Sequence, residues 1–190
     1  NGQHILIGAY TATLALMRTV GADPDHLLLR QPLALMDPAG RGLRLPPGAP
    51  LPAFGRAVLA AAHWRWRDRL ALLTAAGSWL ARGFHCPPDW TVQRLCGHLP
   101  AALQAELIDP LCVAALNTPM QQASAAVFLR VLRDALFSGA GSADLLLPRA
   151  PLSALLPDPA WQWLAGYGAT LHTGHRVQAL ARMHGQWLLD

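Results

Sequence analysis

The residues able to do chemistry are few in this chain and far apart. Eight histidines are scattered along it: His4, His26, His63, His85, His98, His172, His175 and His184. His172 and His175 stand at i, i+3 in a β-patterned stretch, which would direct them to opposite faces and argues against a shared zinc ion. No histidine lies near a serine or cysteine in a spacing that suggests a nucleophile and its base. Cys86, Cys96 and Cys112 are odd in number and widely spaced. They fit neither a disulfide framework nor a CxxC knuckle and read as reduced, mostly buried thiols of a cytoplasmic protein. No metal site is expected, and no catalytic residue can be named from the residues alone.

Two glycine-bearing stretches and two apolar ones remain. "NGQH" at the start is a turn before a strand, or a backbone segment passing a flat ligand where a side chain at Gly2 would clash. "GAGS" reads as a linker. Neither matches GxGxxG or a P-loop, so the sequence contains no phosphate cradle of that kind. "AHWRWRDRL" interleaves Trp64 and Trp66 with Arg65, Arg67 and Arg69. It is a helix start with solvated arginines, a membrane-contact patch through Trp64, Arg65 and Trp66, or a base-stacking surface. "IDPLCVAALNTP" supplies a helix whose Leu111, Cys112, Ala115 and Leu116 are either core or the wall of a long apolar pocket, with Asn117 in a turn after it.

The elements that must position these residues follow from composition and punctuation. Of the 190 residues 53% are apolar and 14% charged, and no window reaches the roughly 18 uncharged apolar residues of a membrane span. All fifteen basic residues are arginine; the net charge of +4 is mild and scattered, unlike a nucleic-acid stripe. "HILIG" reads as a strand, followed by a helix from Thr11 to Gly21. "LALMDPAGRGLRLP" is a hairpin around Asp37-Pro38-Ala39-Gly40. "PPGAPLPAF" is a proline-rich connector that marks a boundary near residue 50. From Phe54 to Phe137 the pattern is helical. Leu70, Leu73, Gly77 and Leu80 share a face, and Thr118, Pro119 and Gln121 form a capping box for a helix running to Phe137. A strand "ADLLLPR", a helix starting near Asp158 and a β-patterned end with a turn at His184-Gly185 complete the chain. The order predicts an α+β fold with a mostly helical domain inserted between two incomplete pieces of a sheet domain.

Several stretches together resemble a known family. "NGQHILIGAY", "LALMRTVGAD", "DPLCVAALNTPMQQASAAVFLRVLRDALF" and "LLLPRAPLSALLPDPAWQWLAGYGATLHTGHRVQAL" are similar to the squalene-associated FAD-dependent desaturases. These are the hydroxysqualene dehydroxylases of bacterial hopanoid synthesis, within the amine oxidase and phytoene desaturase superfamily. The resemblance implies an internal fragment, inactive by itself, with three parts. Residues 1–50 would be the edge of an FAD-binding domain, 51–140 a helical substrate-binding cap, and 141–190 the return to the FAD-binding domain. It assigns Gly2, Gln3 and His4 to the segment that passes the isoalloxazine ring and Val177 to the adenine end. It makes Cys112, Leu116 and Asn117 the candidate substrate pocket. The implied substrate is a long apolar isoprenoid, reduced by flavin as its hydroxyl leaves; His4 is a candidate proton donor by position only. The implied location is the cytoplasm, with peripheral contact at the inner membrane face. Nucleic acid is not among the expected partners, and a dimer through exposed sheet edges is. Carotenoid desaturation, amine oxidation and a non-enzymatic membrane- or RNA-binding module stay open beside this reading.

Overall fold

The structure, a computed structural model, describes residues 5–189. Strand β1 (Leu6–Ile7) leads into helix α1 (Thr11–Thr19), which buries Leu14 and Met17. Past the helix, Gly21 takes φ 83°, and the amide of Ala22 returns to the Met17 carbonyl, satisfying an acceptor the helix end leaves open. Helix α2 (Pro24–Leu27) starts on Asp23, whose carboxylate accepts the Asp25 amide, and runs directly into β2 (Leu28–Gln31).

The hairpin forms where the turn chemistry puts it. β3 (Ala34–Met36) pairs antiparallel with β4 (Gly42–Arg44), Leu35 opposite Leu43. The Asp37 carboxylate accepts both the backbone amide and Nε of Arg41, and Gly40 supplies the positive φ of 77° that the turn needs. Helix α3 (Pro50–Ala60) then begins inside the proline-rich stretch. Pro50 has no amide to leave unpaired, so it opens the helix instead of ending a connector.

Helix α4 (Trp66–Ala81) starts where the Asp68 carboxylate accepts the Arg65 amide. It buries Leu72, Ala75 and Trp79. Of the stripe Leu70, Leu73, Gly77 and Leu80, Leu70, Gly77 and Leu80 are exposed, whereas Leu73 is partly buried against the larger core. Helix α5 (Val92–Cys96) is capped by Thr91, whose hydroxyl accepts the Arg94 amide. A continuous helical run follows: α6 (Ala101–Leu103), a π-turn (Gln104–Ile108) and α7 (Asp109–Leu116). Pro110 accounts for the π-turn, because its ring crowds the carbonyl four residues back, that of Glu106.

Helix α8 (Ala125–Leu136) is capped by Ser124, not Thr118. Residues 117–124 serve α5 instead: the Ala123 and Met120 carbonyls accept the first free amides of Val92 and Gln93, and the Ala125 amide bonds Trp90. Met120 and Ala123 are buried, which anchors this arrangement.

Strand β5 (Leu145–Pro148) pairs antiparallel with β1 on one side and β2 on the other, giving the order β1-β5-β2. The chain that leaves this sheet at Gln31 thus returns to it at Leu145. Two cores result. The larger one packs Leu43 and Leu45 of the hairpin with α3, α4, α5, α7 and α8 around Val58, Leu103 and Phe128. The smaller lies under the three-stranded sheet and holds Leu14, Met17, Val20, Leu28, Leu146 and Leu155. The hairpin therefore packs with the helices, although it precedes residue 50. The last elements are α9 (Leu152–Leu155), α10 (Pro157–Gly166) and the hairpin of β6 (Leu180–Met183) with β7 (Gln186–Leu189). His184 and Gly185 both have positive φ, as a type I′ turn requires. Neither α10 nor this hairpin buries a residue.

Candidate functional site

An apolar crevice runs through the larger core. The hairpin contributes Leu35 and Leu43, α3 Phe54, α4 Leu72, Ala76 and Trp79, the π-turn Leu107 and Ile108, α7 Leu111, and the α8 end Phe128, Leu132 and Phe137. Every lining residue is apolar. The crevice is narrow: its cavity volume is about 30 Å³, and only by counting the open space at its mouth does the empty volume reach about 500 Å³. Phe137 is braced between two rings, edge-on to Phe54 at 5.6 Å and tilted against Phe84 at 5.4 Å. A wall that turns only apolar surface to the opening gives up little when it loses water and favours a hydrocarbon occupant.

Beside the π-turn sits a polar cluster that reaches this core. Trp64 is 3% exposed and donates its Nε1–H to Oε2 of Glu106 at 2.8 Å. Nε2 of His63 lies 3.7 Å from the same oxygen, and the two rings pack at 4.7 Å. The arrangement fixes the loop between α3 and α4 on the helical run that forms the crevice wall.

The structure separates the residues singled out in the sequence. Gly2, Gln3 and His4 lie outside the described residues. Val177 is 55% exposed in an irregular stretch between α10 and β6. Cys112 is fully buried, its thiol 3.4 Å from the Thr118 carbonyl. Leu116 is half-buried against the larger core, and Asn117 is an exposed left-handed cap at φ 49°. None of these three lines the crevice, while Leu107, Ile108 and Leu111 of the same run do. Trp64 is not a surface contact, because its indole N–H is spent inward on Glu106; Arg65 and Trp66 are exposed. His172 and His175 are not on opposite faces of a strand. They lie in an irregular stretch with their rings edge-to-face at 5.7 Å. Among the described residues no group of three or more His, Cys, Asp or Glu is placed to hold a metal ion.

The thiols behave as core groups. Burial pushes the Cys96 thiol up to about 12, helped by neighbouring Cys112. The Cys112 and Cys86 thiols are also raised, first by burial and then by Asp109 and Asp89 respectively. No helix among the described residues is long and apolar enough to cross a membrane. Of the residues assigned to the cofactor only Val177 is described, and it is exposed.

The sequence gives little signal for the crevice. Its walls come from five separate stretches, and a lining leucine has the same local pattern as a core leucine. The hairpin was readable, but that it folds onto the helices was not.

No family model matches the chain. Over 189 residues, 95% of its length, it is 31% identical to a hydroxysqualene dehydroxylase of Rhodopseudomonas palustris, of which it spans 42%. It is 35% identical over 80 residues to a hydroxysqualene dehydroxylase of Sinorhizobium fredii, a match that covers 42% of this chain and 19% of that protein. The chain spans less than half the length of these curated relatives. The resemblance drawn from the sequence is to the family that both relatives carry in their names.

Proposed function

We propose that this chain, similar to hydroxysqualene dehydroxylases along nearly all of its length, is the substrate-holding portion of a flavin-dependent oxidoreductase of hopanoid synthesis. The substrate in this reading is hydroxysqualene and the product squalene. The observation that carries it is the wholly apolar crevice between the hairpin and the helices. An isoprenoid chain has no polar group to satisfy along its length, so such a wall binds it through area alone. An amine substrate would meet no acceptor there and would lose its hydration without compensation. FAD is the cofactor implied, and when bound it would supply the hydride that replaces the hydroxyl.

This chain's own residues hold and shield the hydrocarbon. Phe54, Phe137 and Trp79 set the width of the crevice, and Leu107, Ile108 and Leu111 form the wall that the Trp64–Glu106 bond keeps in position. Excluding water protects the carbon from which the hydroxyl departs. The proton that lets the hydroxyl leave as water comes from a donor that these residues do not identify.

The test is product analysis. The full-length protein, reconstituted with FAD and a reductant, should convert hydroxysqualene to squalene. A protein that purifies colourless, cannot be loaded with flavin and leaves hydroxysqualene unchanged would sink the reading. Desaturated products from phytoene would move it to the carotenoid branch. Ala76→Trp, which fills the crevice, should raise KM for the isoprenoid by about tenfold, the effect of about 1.4 kcal/mol of lost binding. An unchanged KM in that variant would make the crevice plain core.

A further inference from the structure

Helix α4 is apolar on two separate sides. Its inner side gives Leu72 and Trp79 to the core, with Ala76 beside them on the crevice. Its outer side carries Trp66, Leu70 and Leu80 at helical spacing, while Leu73 between them is partly buried against the larger core. Trp66 is 67% exposed, and Leu70 and Leu80 are exposed as well. From Trp66 to Leu80 the stripe is about 21 Å long. Two apolar sides on one helix are normally both covered. Here α3 and the core cover only the inner one.

The end of α3 adds to the same corner. The Arg69 guanidinium donates to the Leu59 and Trp64 carbonyls at 2.8 and 3.0 Å, tying the last turn of α3 to the first turn of α4. Leu59, 61% exposed, therefore stands by the Trp66 end of the stripe. Charge surrounds it on one side of the balance. Arg65 and Arg67 make no ion pair among the described residues, and the Arg67 guanidinium lies 5.7 Å from the Trp66 ring. The nearby acids are engaged: Asp68 accepts the Arg65 amide and Glu106 the Trp64 indole.

We propose that this outer face of α4, with Leu59, docks on an anionic lipid surface. An exposed tryptophan at the edge of an apolar stripe sits well at headgroup depth, and guanidinium groups beside it pair with lipid phosphate. A protein partner would have to present both an apolar groove and free carboxylates. A bilayer offers hydrocarbon and anionic headgroups together. The other side of the same helix walls the crevice, so docking sets the crevice one helix away from the lipid phase. The inference rests on these residues and not on the proposed reaction.

The full-length protein is mixed with vesicles of phosphatidylcholine, or of phosphatidylcholine with phosphatidylglycerol, and sedimented. It should pellet with the mixed vesicles and weaken with added salt. Trp66→Ala with Leu70→Gln should lower partitioning by at least about tenfold, since two exposed apolar contacts are lost. Arg67→Gln, which removes no core contact, should lower it about fivefold. Both positions are exposed, so the variants should melt with the parent; if the double variant melts early, the Arg67→Gln result alone decides. Equal partitioning of the Arg67→Gln variant, absence of binding by the parent, or a dimer that the Trp66 substitution dissociates would each overturn the proposal. None of these readouts depends on turnover, so they stand apart from the test of the reaction.

Discussion

Asn117 shows how one residue can be read two ways. Its place after an apolar helix made it a pocket candidate, while its left-handed φ of 49° makes it a cap whose amide bonds the Val113 carbonyl. Asparagine tolerates that conformation and a β-branched residue does not. Asn117→Gly should leave stability within about 0.5 kcal/mol, and Asn117→Val should cost about 1–2 kcal/mol in urea unfolding. A substrate role would appear as altered turnover in the glycine variant with unchanged melting. The thiols give a second prediction. Burial raises the Cys96 thiol from 9.0 to about 12, so the folded state holds the proton more tightly than the unfolded one. That contribution is present below pH 9 and is lost as pH rises through about 12. At pH 8 an aromatic disulfide reagent should therefore label Cys86 first and reach Cys96 and Cys112 only after denaturation. Equal labelling rates for the three in the native protein would refute the packing described.

At the scale of elements, the sequence announced what is decided locally. The β3–β4 turn is written in Asp37, Arg41 and Gly40, all within a few residues, and it forms at the expected positions. The start of α8 is different. Thr118-Pro119-Met120-Gln121 satisfies the local rule for a helix start, yet the helix begins after Ser124. What outweighs the rule is tertiary: the carbonyls of Met120 and Ala123 are needed by the unpaired amides of α5. The same limit applies to α4, where periodicity finds an apolar stripe but cannot say which of two stripes faces the core. Substitution separates the two possible starts of α8. Ser124→Ala should cost about 0.5–1 kcal/mol, the value of a helix cap, and Thr118→Ala clearly less in the same unfolding experiment. A larger loss at Thr118 would mean that the helix starts there in solution.

Across the whole molecule the chain is unevenly covered. The two cores account for residues from α1 to α9, whereas α10 and the β6–β7 hairpin bury nothing and leave Trp161, Trp163, Tyr167 and Trp187 exposed. Sequence patterning foresaw both of these elements, because the helix spacing and the His184-Gly185 turn are local. It could not foresee how little covers them among the described residues, where Ala160 of α10 packs against the smaller core and the hairpin is exposed throughout, since burial depends on what the rest of the fold supplies. The crevice escaped for the same reason: residues 33–45, Phe54 and residues 72–79, 107–111 and 128–137 meet only in three dimensions. An apolar helix and hairpin with so little cover hold their hydrogen bonds weakly, as local opening costs little buried area. In hydrogen exchange on the 190-residue chain, amides of residues 157–189 should exchange well ahead of those of α8, whose Phe128 and Leu129 are fully buried. In a longer polypeptide that matches the full length of the relatives, the same amides should slow by at least about tenfold if protein packs on them, because opening then exposes buried area as well. Slow exchange of residues 157–189 in the 190-residue chain would instead show that this segment is already covered there, as by a dimer through its exposed strands.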